Sequence, residues 1–548
     1  MATGRTEVGA NEAKETVTCT INGVQVEVPK GTRIIEAAEK AGVGIPHYCY
    51  HPGLSAPAMC RMCLVEVEGA PKLQPACVTT VADGQVIHTE SEKATAARTG
   101  VLEFYLINHP LDCPICDQAG ECKLQDYAAQ EGRKRGRFLE QKRVFGRDDF
   151  GGDILYEGSR CIMCTRCVRF MREIAGDDAL GVVQRGHRSV IDTFFENGLE
   201  GSYWAGNIVD ICPVGALISK DFLHKARAWD LDRTPSICPG CSQGCNIRLE
   251  TRDNLVQRLK PRQNPSVNSY WMCDYGRLNY EWMNRLDRIE APLVRDESGK
   301  LVATTWQDAM VALVDRLGEV RGTGPVVAVG GANHANEDNG LLARLVEVLG
   351  GGELVFRSER AEDEVVCPGF PKLARRRDLA ANTRGLEIFG FRRTGDDQAQ
   401  GGLEAPNGGV LLVLSDELAD QPEGFGRDAS LFVYLGEHLS PAARNADFVL
   451  PVTTFAEQDG TFTNFEGRVQ RFWPALQAPG LARPAWQVLG VVLAGLEDGQ
   501  APATAGDAFL RLGEFFAEFQ GLSYDVLGPR GAVLNEPVKI TAGATEVE

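Results

Sequence analysis

The sequence predicts an α+β chain of several domains, and three observations lead to this prediction. Its 548 residues, 43% of them hydrophobic, can fill several cores, so length alone favours three or four domains. Sixteen of the seventeen cysteines lie before residue 274, which separates a cysteine-rich half from a half that contains only Cys367. Apolar strand-like runs such as "GVLLVL" from Gly409 occur together with helical patterns such as "ATAARTGVLEFYLIN".

The charge balance argues against nucleic acid as the main partner. Lys and Arg number 57 against 75 Asp and Glu, a net charge of -18 that repels phosphate backbones. The basic run "GRKRGRFLEQKR" from Gly132 is expected to be a solvated linker or to contact an acidic neighbour.

No apolar run is long enough to span a bilayer, so membrane contact would require partner subunits. The stretch "MATGRTEVGANEAKE" has no apolar signal core, which predicts a reducing cytoplasmic location with thiols free to bind metals.

The first group of cysteines follows a hairpin and a helix. In "TCTINGVQVEV" polar and apolar residues alternate around Asn22-Gly23, a pair typical of a type I′ turn, and "GTRIIEAAEKAGV" predicts a short helix. Hairpin, helix and a long cysteine loop together predict a ferredoxin-like β-grasp domain with a 2Fe-2S cluster. The spacing x10, x2, x13 departs from the plant type, and zinc is the alternative. The predicted ligands are Cys49, Cys60, Cys63 and Cys77.

Two further segments hold complementary halves of a bacterial ferredoxin pattern. "SRCIMCTRCVRFMREIAG" supplies C-x2-C-x2-C, but Met171 stands where the fourth cysteine belongs. "GNIVDICPVGAL" supplies a terminal Cys-Pro, whereas Ser202, Ala205 and Ile208 occupy the three positions ahead of it. One of two ancestral clusters has therefore been lost. The surviving set predicts one 4Fe-4S cluster on Cys161, Cys164, Cys167 and Cys212.

A later group, C-x2-C-x3-C-x27-C, lies in "ICPGCSQGCNIRLE" and "WMCDYGR". Its spacing and its neighbours favour a further 4Fe-4S cluster, with structural zinc as the alternative. The predicted ligands are Cys238, Cys241, Cys245 and Cys273.

The remaining group, in "NHPLDCPICDQAGECKLQD", has only three cysteines. A cluster needs four ligands, and the spare thiols are poorly placed: Cys19 belongs to the hairpin and Cys367 lies far away in the sequence. His109 follows the apolar helix and is held close by Pro110. A lone histidine at a helix end is usually a solvated cap, but the missing ligand reverses this expectation. The predicted 4Fe-4S ligands are His109, Cys113, Cys116 and Cys122.

These motifs resemble the large iron-sulfur subunits of respiratory NADH:quinone oxidoreductase, complex I. The resemblance rests on "HPLDCPICDQAGECKLQD", "RCIMCTRCVRF", "GNIVDICPVGAL" and the later "ADFVLPVTTFAEQDGTFTNFEGRVQRFWPALQAPGLARPAW". It implies the four ligand sets given above. The fourth set looks like the extra cluster of some bacterial members.

The later stretch, together with "GGANHANEDNGLLARLVEVLGGG", is also similar to molybdopterin-dependent oxidoreductases. Counted from Asn336, the position of their metal-binding Cys or selenocysteine falls near Ala361 or Glu362, and Cys367 is followed by Pro368. Only 62 residues follow Trp486, little room for a second pterin-binding subdomain. The expectation is an α/β scaffold that lacks molybdopterin, with Cys367 as a buried apolar thiol.

The resemblance implies a subunit that carries electrons from a flavin/NADH subunit toward quinone through a quinone-side iron-sulfur subunit. No G-x-G-x-x-G signal for a dinucleotide occurs, so the NADH site is expected on another subunit. The alternatives are the large subunit of an NAD-linked formate dehydrogenase, the electron-input arm of an iron hydrogenase, and a zinc-stabilised scaffold. The expected domains are 2Fe-2S ferredoxin-type 15–95, His/Cys3 cluster 96–145, ferredoxin-like 4Fe-4S 150–232, molybdopterin-oxidoreductase-type 4Fe-4S 235–290 and degenerate α/β 291–548.

Overall fold

A computed structural model describes residues 15–395 and 402–534. It divides into two compact units, Met1–Trp229 and Asp230–Glu548. The N-terminal stretch without an apolar signal core lies, up to residue 14, outside the described residues. Within the described ranges, no helix is both long enough and apolar enough to cross a membrane.

The first unit begins with the predicted β-grasp fold. Asn22 and Gly23 have φ values of 47° and 85°, the left-handed conformation that a type I′ turn requires, which confirms the predicted hairpin. The sheet has the order β2-β1-β5-β3-β4, with β1 parallel to β5 and the other pairs antiparallel. Helix α1 packs its buried Ile34 and Ile35 against this sheet. The elements are β1 (Thr16–Ile21), β2 (Val24–Pro29), α1 (Ile34–Lys40), β3 (Leu64–Val67), β4 (Gln74–Pro75) and β5 (Gln85–His88).

Two helices, α2 (Glu92–Leu106) and α3 (Lys123–Glu131), follow the sheet. Ser91 caps α2, because its side chain accepts a hydrogen bond from the Ala94 N-H. The side chain of buried Arg98 on α2 contacts Glu131 and the Thr89 carbonyl, which fixes the two helices to the end of β5. The predicted helix "ATAARTGVLEFYLIN" is thus present, and it ends three residues before His109.

A ferredoxin-like part completes the first unit. Its three-stranded sheet has the order β10-β7-β6, and β8 and β9 form a separate hairpin. Helix α4 continues into a π-helical turn, Met171–Ala175, in which Met171 is fully buried. The elements are β6 (Arg147–Gly151), β7 (Ile154–Glu157), α4 (Arg166–Phe170), β8 (Leu180–Val183), β9 (Val190–Thr193), α5 (Asn207–Ile211) and β10 (Leu217–Ser219).

The second unit starts with an antiparallel three-stranded sheet in the order β11-β12-β13. Its strands are β11 (Asp232–Ile237), β12 (Asn246–Arg252) and β13 (Leu255–Pro261), and the short helix α6 (Asp274–Leu278) follows. Ile247 and Leu249 of β12 are fully buried, so this small sheet has a core of its own beside the cysteine loop.

An eight-stranded sheet dominates the second unit, in the order β15-β14-β23-β22-β21-β16-β17-β20. The six strands from β23 to β20 are parallel, and helices pack against them. Every residue of β21, part of the "GVLLVL" run, is buried, as expected for a strand covered on both faces. The elements up to β20 are β14 (Leu293–Arg295), β15 (Leu301–Ala303), α7 (Trp306–Val320), β16 (Val326–Gly331), α8 (Asn336–Val348), β17 (Glu353–Arg357), β18 (Val365–Val366), β19 (Ala374–Arg375), α9 (Thr383–Ile388) and β20 (Arg392–Arg393).

Chain order reverses between β16 and β21, which makes their carboxyl ends the topological switch point of a doubly wound sheet. A further antiparallel group, β24-β25-β26, lies outside this sheet. The remaining elements are β21 (Val410–Leu414), β22 (Leu431–Gly436), β23 (Phe448–Pro451), β24 (Gly460–Thr463), β25 (Arg468–Phe472), α10 (Ala485–Glu497), α11 (Ala505–Phe515), α12 (Tyr524–Leu527) and β26 (Ala532–Val533).

Candidate iron-sulfur centres

The first cysteine group lies in the loop between α1 and β3 and just after β4. Cys49 contacts the thiols of Cys60 and Cys77, and Cys63 also contacts Cys77, so the structure brings all four together in a buried pocket. Donation from Cys60 and Cys77, with backbone N-H groups of the loop, lowers the pKa of Cys49. Two residues of the loop, Ala58 and Arg61, have positive φ values of 54° and 59°. Such strained backbone collects at functional loops, where it turns N-H groups toward one point.

The second group lies between α2 and α3. Cys113 opens a single 3-10 turn, Cys116 closes it, and Cys122 stands immediately before α3. The backbone N-H groups of Leu124 and Gln125, in the first turn of α3, point at the Cys122 sulfur. His109, Cys113 and Cys122 line one cavity of about 850 Å³, whereas the sulfur of Cys116 faces Gly215.

His109 has the properties of a metal ligand. Its Nδ1 atom is buried and has no hydrogen-bond partner among the described residues. Burial, and then the positive charges of Lys142 and Arg160, lower the pKa of the imidazole to about 4. The ring is therefore neutral at pH 7, the state in which histidine binds metals. An unpaired buried nitrogen is costly, and a bound iron would satisfy it.

The third group surrounds one small cavity, lined by all four cysteines and by Tyr156. Burial raises the pKa values of Cys161, Cys164 and Cys212 to about 11. Backbone groups oppose this effect: the Met163 N-H lies 3.4 Å from the Cys161 sulfur, and three N-H groups of residues 214–217 point at Cys212. Met163 and Thr165 have positive φ values of 54° and 59°, as in the first loop.

The fourth group belongs to the second unit and is fully buried. Cys238 follows β11, Cys245 precedes β12, and the Cys238 N-H donates to the Cys245 carbonyl at 2.8 Å. Two glycines leave room at the sulfurs. A β-carbon on Gly276 would lie 2.7 Å from the Cys238 sulfur, and one on Gly240 would lie 3.6 Å from it. The Gly276 N-H also lies 3.4 Å from the Cys273 sulfur.

These surroundings fit iron-sulfur clusters. Within the described ranges, no three His, Cys, Asp or Glu side chains converge closely enough to bind a single metal ion. Each group nevertheless combines buried sulfurs with backbone N-H groups that point at them, although Cys113 is exposed and Cys161 is half-buried. Isolated buried thiolates would be costly, and a positively charged cluster core removes that cost. Hydrogen bonds to the sulfurs are also the means by which proteins set cluster potentials.

Two arginines that the sequence patterns did not single out connect the first and third groups. Buried Arg166 donates to the carbonyls of Tyr50 and, at 3.0 Å, of Ile211. Arg169 donates to the carbonyls of Cys49 at 2.6 Å and of Cys164 at 3.3 Å. The sequence does not show which arginines near the ligand cysteines contact the cysteine loops. The spacing of the cysteines alone therefore could not identify Arg166 or Arg169.

The cysteines outside the four groups are buried. Cys19 lies in β1 of the β-grasp core, and Cys367 lies in the second unit with its N-H donating to the Leu373 carbonyl at 2.8 Å. The prediction that Cys367 is a buried thiol is confirmed. Of the two possibilities for the basic run from Gly132, the contact with an acidic neighbour is present: Arg133 and Arg137 both pair with Glu103.

Five family models match the chain, and together they define a class of protein. They describe a 2Fe-2S iron-sulfur cluster binding domain (residues 14–92), an NADH-ubiquinone oxidoreductase-G iron-sulfur binding region (98–137), a ferredoxin-like domain of NADH-quinone oxidoreductase subunit 3 (151–218), a molybdopterin oxidoreductase Fe4S4 domain (231–285) and molybdopterin oxidoreductase (407–494). The chain is thus a multidomain α+β iron-sulfur protein, which confirms the predicted fold class.

Individual relatives show which iron-sulfur proteins the chain is similar to. The G subunit of NADH-quinone oxidoreductase from Rickettsia bellii is 43% identical over 55% of this chain and 44% of its own length. The mitochondrial NADH dehydrogenase [ubiquinone] iron-sulfur protein 1 of Solanum tuberosum is 43% identical over 59% of this chain and 43% of its own length. Over the matched region the chain is similar to the G subunits of NADH-quinone oxidoreductase, which confirms the resemblance indicated by its motifs.

The chain spans somewhat less than half the length of these curated relatives. Among solved structures, a chain of an NAD+-reducing [NiFe]-hydrogenase in the H2-reduced state is 30% identical and covers 38% of this chain and 90% of its own. Its TM-score of 0.36 is too low to establish a common fold.

Proposed function

We propose that this chain is the iron-sulfur electron-transfer subunit of an NADH:quinone oxidoreductase, in which it carries electrons from a flavin/NADH subunit toward quinone. One observation carries the proposal: half-buried His109, whose buried Nδ1 has no hydrogen-bond partner among the described residues, lines the same cavity as Cys113 and Cys122, where it can supply the fourth ligand that this group lacks. With that ligand, sixteen side chains make four complete sets.

In this proposal the first set holds a 2Fe-2S cluster and each of the other three holds a 4Fe-4S cluster. The clusters supply one-electron transfer with little rearrangement. The chain's own residues hold the sets, bury most of the sulfurs and point backbone N-H groups at them. Arg166 and Arg169 join the Cys49 loop to the Cys164 loop, and they thereby hold two of the sets at a fixed separation.

No molybdopterin is part of this proposal. At the switch point, where a doubly wound sheet binds its ligand, the polar groups are paired with one another. His334 lies 2.8 Å from Glu437 and 3.2 Å from Asp338, and Ser415 donates to Glu437 at 2.6 Å. Two carboxylates in this network disfavour the phosphates of a pterin cofactor. Cys367 directly follows β18, which pairs with β19 in a separate two-stranded sheet.

The partners follow from the same proposal. The flavin/NADH subunit would deliver electrons, and a quinone-side iron-sulfur subunit would receive them. The chain would lie on the cytoplasmic side of the membrane and would reach it only through partner subunits.

The test is the iron and acid-labile sulfide content of the anaerobically prepared full chain, together with EPR spectra of the reduced protein. Four sets as assigned require about fourteen irons per chain, and about ten would remove one 4Fe-4S centre. A colourless protein that contains zinc in place of iron would contradict the proposal.

The similarity to molybdopterin oxidoreductases over residues 231–285 and 407–494 favours a second candidate, the large subunit of an NAD-linked formate dehydrogenase. Metal analysis separates the two. Molybdenum or tungsten with formate oxidation would establish the second candidate, whereas iron and sulfide without either metal supports the first.

A further inference from the structure

A basic strap, residues 133–143, runs across the end of α2 in the first unit. Arg137 forms a two-pronged ion pair with Glu103 of α2, at 2.6 Å and 2.7 Å, and Arg133 lies 3.3 Å from the same carboxylate. Lys134 is exposed and makes no contact of this kind among the described residues. Arg133 and Arg137 therefore attach the strap to α2, whereas Lys134 does not.

The C-terminal end of α2 is completed by this strap. The last carbonyls of a helix have no partners within the helix, and the last turn of α2 contains no basic residue of its own. The Lys142 Nζ atom lies 2.7 Å from the Leu106 carbonyl and 3.1 Å from the Ile107 carbonyl. It also lies 2.8 Å from the carbonyl of His109. The three N-H bonds of the Lys142 ammonium group thus all donate to carbonyls within residues 106–109.

The adjacent residue strengthens this attachment. The Arg143 N-H lies 3.0 Å from the Asn108 side-chain oxygen, so two consecutive strap residues bind the turn between α2 and His109. On the other side of His109, Asp112 pairs with Arg160 at 3.2 Å. Between these two attachments the imidazole faces the cavity that it shares with Cys113 and Cys122.

We propose that Lys142 is a positioning residue for the His109 centre: its ammonium binds the His109 carbonyl to the end of α2 and so fixes the turn from which the imidazole reaches the cluster. The inference rests on the proposed function, because it takes His109 as a ligand. The attachment itself is a property of the polypeptide, and it can be measured without reference to the cluster. The same cation lies near the centre and favours its reduced form, since reduction adds negative charge.

The experiment compares three variants of the full chain. Lys142→Met keeps the length of the side chain but removes the ammonium, and Lys142→Arg keeps the charge with a different arrangement of donors. Lys134→Met removes one charge from the same strap without disturbing these contacts, and it is the matched control. The measurements are amide hydrogen exchange of Ile107, Asn108 and His109, and the EPR signal and midpoint potential of the His109 centre.

We expect Lys142→Met to speed exchange at these amides by roughly tenfold or more, because charge-assisted hydrogen bonds to three carbonyls are lost. The EPR signal of the centre should broaden and its potential should fall, while the signals of the other centres remain. Lys142→Arg should show smaller changes than Lys142→Met in both amide exchange and the EPR signal and potential. Lys134→Met should match the unsubstituted chain.

Equal exchange and equal EPR behaviour in Lys142→Met and Lys134→Met would overturn the inference. Failure of the proposed function would look different. If no EPR signal of the unsubstituted chain depended on His109, ligation by His109 would be contradicted. Exchange rates at residues 107–109 would still decide in that case whether Lys142 holds the turn.

Discussion

Gly215 lies directly against Cys116: a β-carbon built on Gly215 would overlap the Cys116 sulfur. Gly215 belongs to the segment that follows Cys212, a ligand of the third set. The same short stretch of backbone therefore contacts the second ligand set. The Lys123 N-H, next to Cys122, also donates to the Pro213 carbonyl at 3.1 Å. The short main-chain segment 213–215 therefore holds Cys116 close to Cys212.

Gly215→Ala should damage the second centre, because the added methyl group collides with the Cys116 sulfur. The added methyl group must displace the Cys116 sulfur or the backbone, at a cost of about 1–3 kcal/mol. We expect a loss of up to about four irons per chain and of the corresponding EPR signal. Gly44→Ala is the control, because a β-carbon at Gly44 meets nothing within 4 Å and its φ is not positive. Equal iron content in the two variants would contradict this account.

His109→Cys should keep the second centre but lower its potential. A thiolate carries one more negative charge than a neutral imidazole, and histidine ligands raise potentials in Rieske centres for this reason. His109→Ala should lose or destabilise the centre. Redox titration followed by EPR measures both effects, with exposed His187→Ala as the control. Ligation by His109 would be refuted by an unchanged potential and spectrum in His109→Cys.

Arg166→Met should affect the third centre and the stability of the first unit. The substitution leaves the carbonyls of Tyr50 and Ile211 without their donor, which should cost roughly 2 kcal/mol or more. It also removes a buried positive charge near Cys164 and Cys212, so the potential of that centre should fall. Arg172→Met, on the exposed side next to Asp178, should change neither property. Urea denaturation and redox titration of both variants test the difference.

His334 should make the stability of the second unit depend on pH. Burial lowers its pKa, but the charges and hydrogen bonds of Glu437 and Asp338 outweigh burial and raise the pKa to about 10. A pKa above the unfolded value of 6.5 gives stability that is complete below about pH 6.5 and is lost as the pH rises toward 10. The urea midpoint of the full chain should fall across this interval.

His334→Gln should be less stable by roughly 4 kcal/mol at pH 7, and the difference should shrink toward pH 10. Exposed His187→Gln is the control for loss of a histidine. A difference that stays constant between pH 6.5 and pH 10 would show that charge on His334 does not contribute.

Much of the fold was predictable because its signals are local. The Asn22-Gly23 turn, the helix before His109 and the buried strand at Val410–Leu414 each depend on residues within a few positions. The strand order of the eight-stranded sheet was not predictable, since it depends on contacts between distant residues. The network of His334, Asp338 and Glu437 was missed for the same reason, because Glu437 lies 103 residues after His334 in the chain.

The sequence by itself determined which side chains can bind metal: ligand chemistry and count are properties of residue type, and fifteen grouped cysteines require one more donor. Tertiary structure decided what surrounds those donors. Whether Lys142 reaches the turn before Pro110, or Gly215 leaves space for a sulfur, depends on distances across folded segments that no spacing in the chain encodes. The physical reason is that hydrogen bonds and close packing act within a few ångströms in space, whereas sequence patterns report only neighbours along the chain.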